Sequence, residues 1–147
     1  MRKKQLSTKA TIIVTVATLA ITAVIIGVTF SSGLKEPTVE FSNSGVKISG
    51  MYGMEIPLDE ILSVTLHEES MGDIVEGLRR TNGSSIGASQ KGNYTTSNLG
   101  SIKLFVNMDS SPTIQIERPE DKQDVYISFK DGADTHALFE KLDGVNP

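Results

Sequence analysis

SIKLFVNMDSSPTIQIERPEDKQDVYISFK, residues 101–130, decides the fold class. Ile102, Leu104 and Val106 recur at every second position; Ile114 and Ile116 repeat that spacing, and so do Val125, Ile127 and Phe129. Successive strand side chains point to opposite faces, so a spacing of two places each set on one face of a sheet. Working towards the N-terminus, Val64 and Leu66 alternate in the same way, as do Met54, Ile56 and Leu58. Pro57 lacks a ladder donor and is expected to stop pairing on that strand or to place it at an edge. Val46 and Ile48 follow the turn signal Asn43-Ser44-Gly45, and Val39 and Phe41 share a face of Thr38–Ser42. At least seven short strands at hairpin spacing predict a mainly β, small antiparallel sandwich or barrel. The end is different. Asp131 or Asp134 is suited to cap a helix of about ten residues that carries Leu138, Phe139 and Leu142 and stops at Gly144. Residues 72–100 are rich in Gly, Ser, Asn and Thr, and are expected to be long loops with at most short strands.

The chain has 147 residues and a formal net charge of −4. Four bases and no acid lie in residues 1–9, whereas residues after 30 hold 10 bases against 18 acids, a balance of −8. Such an acidic surface disfavours nucleic acid, because phosphate neutralisation needs a basic one. With no Cys, disulfide scaffolds, thiolate zinc sites and cysteine nucleophiles are excluded. Between Lys9 and Lys35 there is no charge, and Thr11–Phe30 is apolar throughout. Twenty helical residues span about 30 Å, the thickness of a bilayer core. The expectation is therefore an N-terminal transmembrane helix over residues 10–30, with a basic tail, residues 1–9, in the cytoplasm. The domain then lies outside the cell membrane, by the positive-inside rule. The competing reading is secretion after cleavage of a signal peptide near Thr29-Phe30-Ser31. The remaining boundaries are a linker at 31–37, a β domain at 38–143 and a tail at 144–147.

The run Gly50-Met51-Tyr52-Gly53-Met54-Glu55-Ile56-Pro57-Leu58-Asp59-Glu60-Ile61, followed by Val64 and Leu66, resembles a family of bacterial pleckstrin-homology (PH)-like domains. So do Arg80-Thr81-Asn82-Gly83, Lys91-Gly92-Asn93-Tyr94, Lys103-Leu104-Phe105-Val106-Asn107 and the terminal Leu138-Phe139-Glu140-Lys141-Leu142, in that order. The resemblance implies two roughly orthogonal antiparallel sheets of seven strands in all, capped by a C-terminal helix, and it carries over no catalytic residue or cofactor. Many members of that family have membrane segments ahead of the domain. The chain departs from the pattern at Gly83–Ser89 and at the polar insert Pro119–Asp124. The clustered bases that PH domains place in an early hairpin loop are reduced here to Lys47.

Among local motifs, Arg79-Arg80-Thr81-Asn82-Gly83 is the ligand-binding candidate. Two guanidiniums beside a Gly turn suit a phosphate or carboxylate. The plainer reading is that both arginines offset Asp73 and Glu76. Gly83-Ser84-Ser85-Ile86-Gly87 matches the G-x-S-x-G nucleophile elbow, with Ser85 as nucleophile and Asp131 and His136 following, but the motif demands a helix after it and Ala88–Asn93 is a poor one. His67 and His136 have no metal-ligand spacing. The sequence thus reads as a membrane-anchored PH-like domain acting as a non-enzymatic binding or assembly module. It would present sheet edges or loops to a protein or envelope partner. An anionic-ligand or lipid-headgroup sensor at Arg79–Gly83 is the alternative, and a small serine hydrolase at Ser85 the remote one.

Overall fold

The computed structural model describes residues 8–144, with side chains described for residues 10–26 and 33–144. The chain divides into two compact units, Met1–Ser32 and Gly33–Pro147. In the first unit and just beyond it runs helix α1 (Thr8–Leu34). The hydroxyls of Thr15, Thr18 and Thr22 donate to the carbonyls of Thr11, Val14 and Thr18 at 2.9, 2.8 and 2.9 Å, so these threonines are satisfied within the helix. The expected transmembrane element is not upheld: among the described residues, no helix is long and apolar enough to cross a membrane. The single-pass address in the cell membrane, with a cytoplasmic N-terminus and an external domain, rested on that span. It loses its support together with the bilayer as partner. The basic tail expected at residues 1–9 lies almost wholly outside the described residues.

The second unit is mainly β, with two sheets and a C-terminal helix. Strands β1 (Thr38–Phe41), β2 (Gly45–Ser49) and β3 (Met54–Pro57) form a three-stranded antiparallel sheet. Its first hairpin turns at Ser42–Gly45, where the Ser42 N–H donates to the Gly45 carbonyl at 3.0 Å. Pro57 ends β3, an edge strand, as its missing donor requires. The larger sheet has the order β4-β8-β9-β7-β6-β5. These strands are β4 (Ser63–His67), β5 (Arg79–Ile86), β6 (Ser89–Thr96), β7 (Gly100–Asn107), β8 (Thr113–Glu117) and β9 (Asp124–Ile127). A single turn, α2 (Met71–Ile74), precedes β5, and α3 (Gly132–Asp143) closes the domain.

Two expectations are revised here. The seven antiparallel strands are nine among the described residues, and β9 inserts between β8 and β7, pairing parallel with β7. Residues 79–96, in the stretch expected as long loops with short strands, form the hairpin β5–β6 of two eight-residue strands. Main-chain bonds hold that ladder, and every non-proline residue supplies them whatever its side chain.

The inner strands of the larger sheet, β6 to β9, are covered on their two faces. On one, Phe105, Ile114, Ile116, Val125 and Ile127 pack against Val46, Ile48 and Ile56 of the small sheet and Leu138 and Leu142 of α3. On the other, Tyr94, Ile102, Leu104, Val106 and Tyr126 lie beneath Met71, with Ile74, Val75 and Leu78 around it. Double burial explains the unbroken apolar runs Leu104-Phe105-Val106 and Val125-Tyr126-Ile127. Helix α3 begins at Asp131, whose carboxylate accepts the Ala133 N–H at 2.9 Å, and the buried Thr135 hydroxyl accepts the Phe129 N–H at 3.0 Å.

Candidate functional site

All five residues singled out for ligand binding, Arg79, Arg80, Thr81, Asn82 and Gly83, stand on β5, the last strand of the larger sheet. They are on an edge strand and not in a loop. One side of β5 is bonded to β6, and among the described residues no strand pairs with the other. The ladder runs from Arg79 opposite Thr95 to Ile86 opposite Ser89, and the hairpin turns at Gly87-Ala88 with Gly87 at φ 56°. Its register shifts between Arg80 and Asn82, leaving Thr81 as a bulge whose hydroxyl donates to the Asn93 carbonyl at 3.0 Å.

Register decides which side chains share a face. Gln90, Gly92 and Tyr94 alternate on β6 and pair with Ser85, Gly83 and Arg80 of β5. Gly83 and Gly92 therefore sit opposite one another and leave a gap in the side-chain layer. Neither tolerates a larger residue: a Cβ on Gly92, at φ 110°, would meet the Asn82 carbonyl oxygen at 2.5 Å and the Gly83 Cα at 2.6 Å. The Tyr94 ring crosses the gap, its Cε2 3.2 Å from where a Gly83 Cβ would stand. Its hydroxyl donates towards the Ser84 carbonyl at 2.7 Å and lies 2.8 Å from the Gln90 Oε1. Burial raises the Tyr94 pKa, with Arg80 opposing, so the phenol stays neutral. Beside this ring opens a basin of about 400 Å³, lined by Leu78, Arg80, Ser85, Gln90 and Tyr94.

Arg79 and Arg80 are exposed. Among the described residues, neither forms an ion pair with Asp73, Glu76 or any other acid. The salt bridges among the described residues join Arg118 and Lys122 to Glu60, and Lys122 to Asp121.

The remaining motifs do not assemble. Ser85 is an exposed strand residue paired with Gln90, and a turn and β6 follow it where the nucleophile elbow needs a helix. Asp131 is occupied as the cap of α3. His67 Nε2 lies 2.8 Å from the Gln115 Oε1, and among the described residues no group of His, Asp and Glu is placed to hold a metal. The basin residues Leu78, Gln90 and Tyr94 lie outside the Arg79–Gly83 motif; Gln90 and Tyr94 alternate with Gly92 along β6, and Leu78 precedes β5.

A second cavity, of about 480 Å³, is lined by Pro37, Ile86, Phe105 and Val106 together with Glu36 and Lys130 among others. Nearby, Lys91 is only 3% exposed and donates from Nζ to the carbonyls of Gly33, at 3.0 Å, and Lys35. Burial lowers its pKa, and Glu36 partly offsets this. Gly33 and Lys35 of the expected linker are therefore held by Lys91 within the β unit, and Gly33 and Pro37 are buried.

Comparison with protein-family models, curated proteins and solved structures finds no match, and so nothing there identifies a PH-like family.

Proposed function

We propose that this protein is a non-enzymatic binding module that captures an extended, acidic segment of a partner protein along the outer edge of β5. The supporting observation is the open edge itself: eight residues of strand, bonded on one side only. Unpaired N–H and C=O groups in a row are a template for an added strand. Arg79 and Arg80 bring two unneutralised cations to this edge of an otherwise acidic domain, and charge complementarity selects an acidic guest. The bulge at Thr81 limits how far a flat, uninterrupted ladder extends, a device that restrains indiscriminate edge pairing.

The test uses the full chain and labelled peptides of the length of β5 with alternating Glu and Val. A Lys–Val peptide and two alternately N-methylated forms, blocking one or the other set of amides, accompany it. Strand addition predicts saturable, salt-sensitive binding of the acidic peptide, weak binding of the basic one, and loss of binding in only one methylation phase. Equal binding of both methylated forms, or no binding of the acidic peptide, refutes the proposal.

A further inference from the structure

We infer that the basin beside β5 is a carboxylate subsite of this edge, receiving one Glu or Asp side chain of the added strand in register with Gly83. The inference rests on the strand-addition reading. An added strand places every second side chain over each face of the sheet. On the basin face, β5 presents Arg80, then the bare backbone of Gly83, then Ser85. A guest side chain beside Gly83 meets no β5 side chain and lies between Arg80 and Ser85, over a basin of about 400 Å³.

The lining chemistry selects the guest. Arg80 has a free guanidinium fork, Ser85 an exposed hydroxyl, and no carboxylate lines the basin. The Gln90 Oε1 lies 2.8 Å from the Tyr94 hydroxyl, whose one proton is offered to this oxygen and to the Ser84 carbonyl. Leu78 and the Tyr94 ring supply apolar wall for the methylenes of a Glu. The neutral phenol adds no repelling charge.

The experiment walks a single Glu along an otherwise Ser–Val peptide of β5 length, each peptide paired with its Gln counterpart. Binding is measured to the wild-type full chain and to R80Q, S85A and R79Q. Affinity is expected to peak at one position, where Glu→Gln costs about threefold to fivefold, the worth of an exposed ion pair. In R80Q the Glu and Gln peptides bind alike at that position, whereas R79Q retains the difference. S85A narrows it. The Glu→Gln comparison needs no protein variant, so it stands even where a variant folds poorly. If peptides bind with one-phase methylation sensitivity yet Glu and Gln bind equally everywhere, the subsite is wrong and the edge stands. The same holds if R80Q weakens all peptides alike. If no peptide binds, the edge reading fails and takes the subsite with it.

Discussion

Replacing Lys91 by Met tests how the domain tolerates a buried ammonium. Lys91 is 3% exposed, and its Nζ serves the Gly33 and Lys35 carbonyls. Methionine keeps much of the apolar stem and removes the donor. The Gly33 carbonyl, on a buried residue, then retains only the Ser89 hydroxyl at 3.4 Å. An under-satisfied buried carbonyl costs about 1–3 kcal/mol. Removing the desolvated charge returns part of that, so a net loss of about 1 kcal/mol near neutral pH is expected. The pH dependence carries the sharper signature. Burial lowers the folded-state pKa of Lys91 below its ordinary 10.5. Between the folded value and 10.5 the unfolded chain binds more protons, so this group makes stability rise with pH across that window. Tyr94 and Tyr126, the latter raised to about 12, act oppositely: above pH 10 their unfolded forms ionise first and stability falls. Both effects, and that of Lys103, whose pKa is also lowered, cancel in the difference between wild type and K91M. Urea unfolding of the full chains at a series of pH values, read at constant m, supplies that difference. It is expected to grow in favour of wild type as pH approaches 10.5. A K91M chain as stable as wild type near neutral pH, with a flat difference up to 10.5, refutes the account of carbonyl compensation.

Gly92→Ala forces a Cβ against the Asn82 oxygen at a φ of 110°, and a loss of about 2–4 kcal/mol is expected, read as a lower urea midpoint; an unchanged midpoint shows that the β5–β6 ladder is not as described. Asp131→Ala removes the N-cap of α3 and is expected to cost about 1 kcal/mol, with Asp131→Asn retaining most of it, by the same measurement.

The alternating sets were legible because burial of one sheet face imposes a period of two that no tertiary information is needed to see. Ile114 and Ile116, or Val46 and Ile48, declare their inward faces locally. The constraint at Pro57 (an edge or an end of pairing) and a helix cap at Asp131 or Asp134 were legible from each residue's own donor or acceptor inventory, and the structure chose the edge and Asp131. The hairpin β5–β6 left no such trace. Its Gly, Ser, Asn and Thr residues contribute main-chain bonds common to all residues, and of its covered positions, Gln90, Lys91, Gly92 and Tyr94, Tyr94 alone brings an apolar side chain to the core. Length and apolarity in residues 10–30 pointed to a membrane span that the described helix does not bear out.

By itself, then, the amino-acid order determined a mainly β domain with a closing helix and named most of its inner face, because side-chain period and capping are local properties. Only the tertiary structure decided that β9 enters between β8 and β7, that Gly83 faces Gly92, that Arg79 and Arg80 stand on an edge strand with no ion pair among the described residues, and that Lys91 is buried. Each depends on the register between strands distant in sequence, set by packing on both faces of one sheet at once.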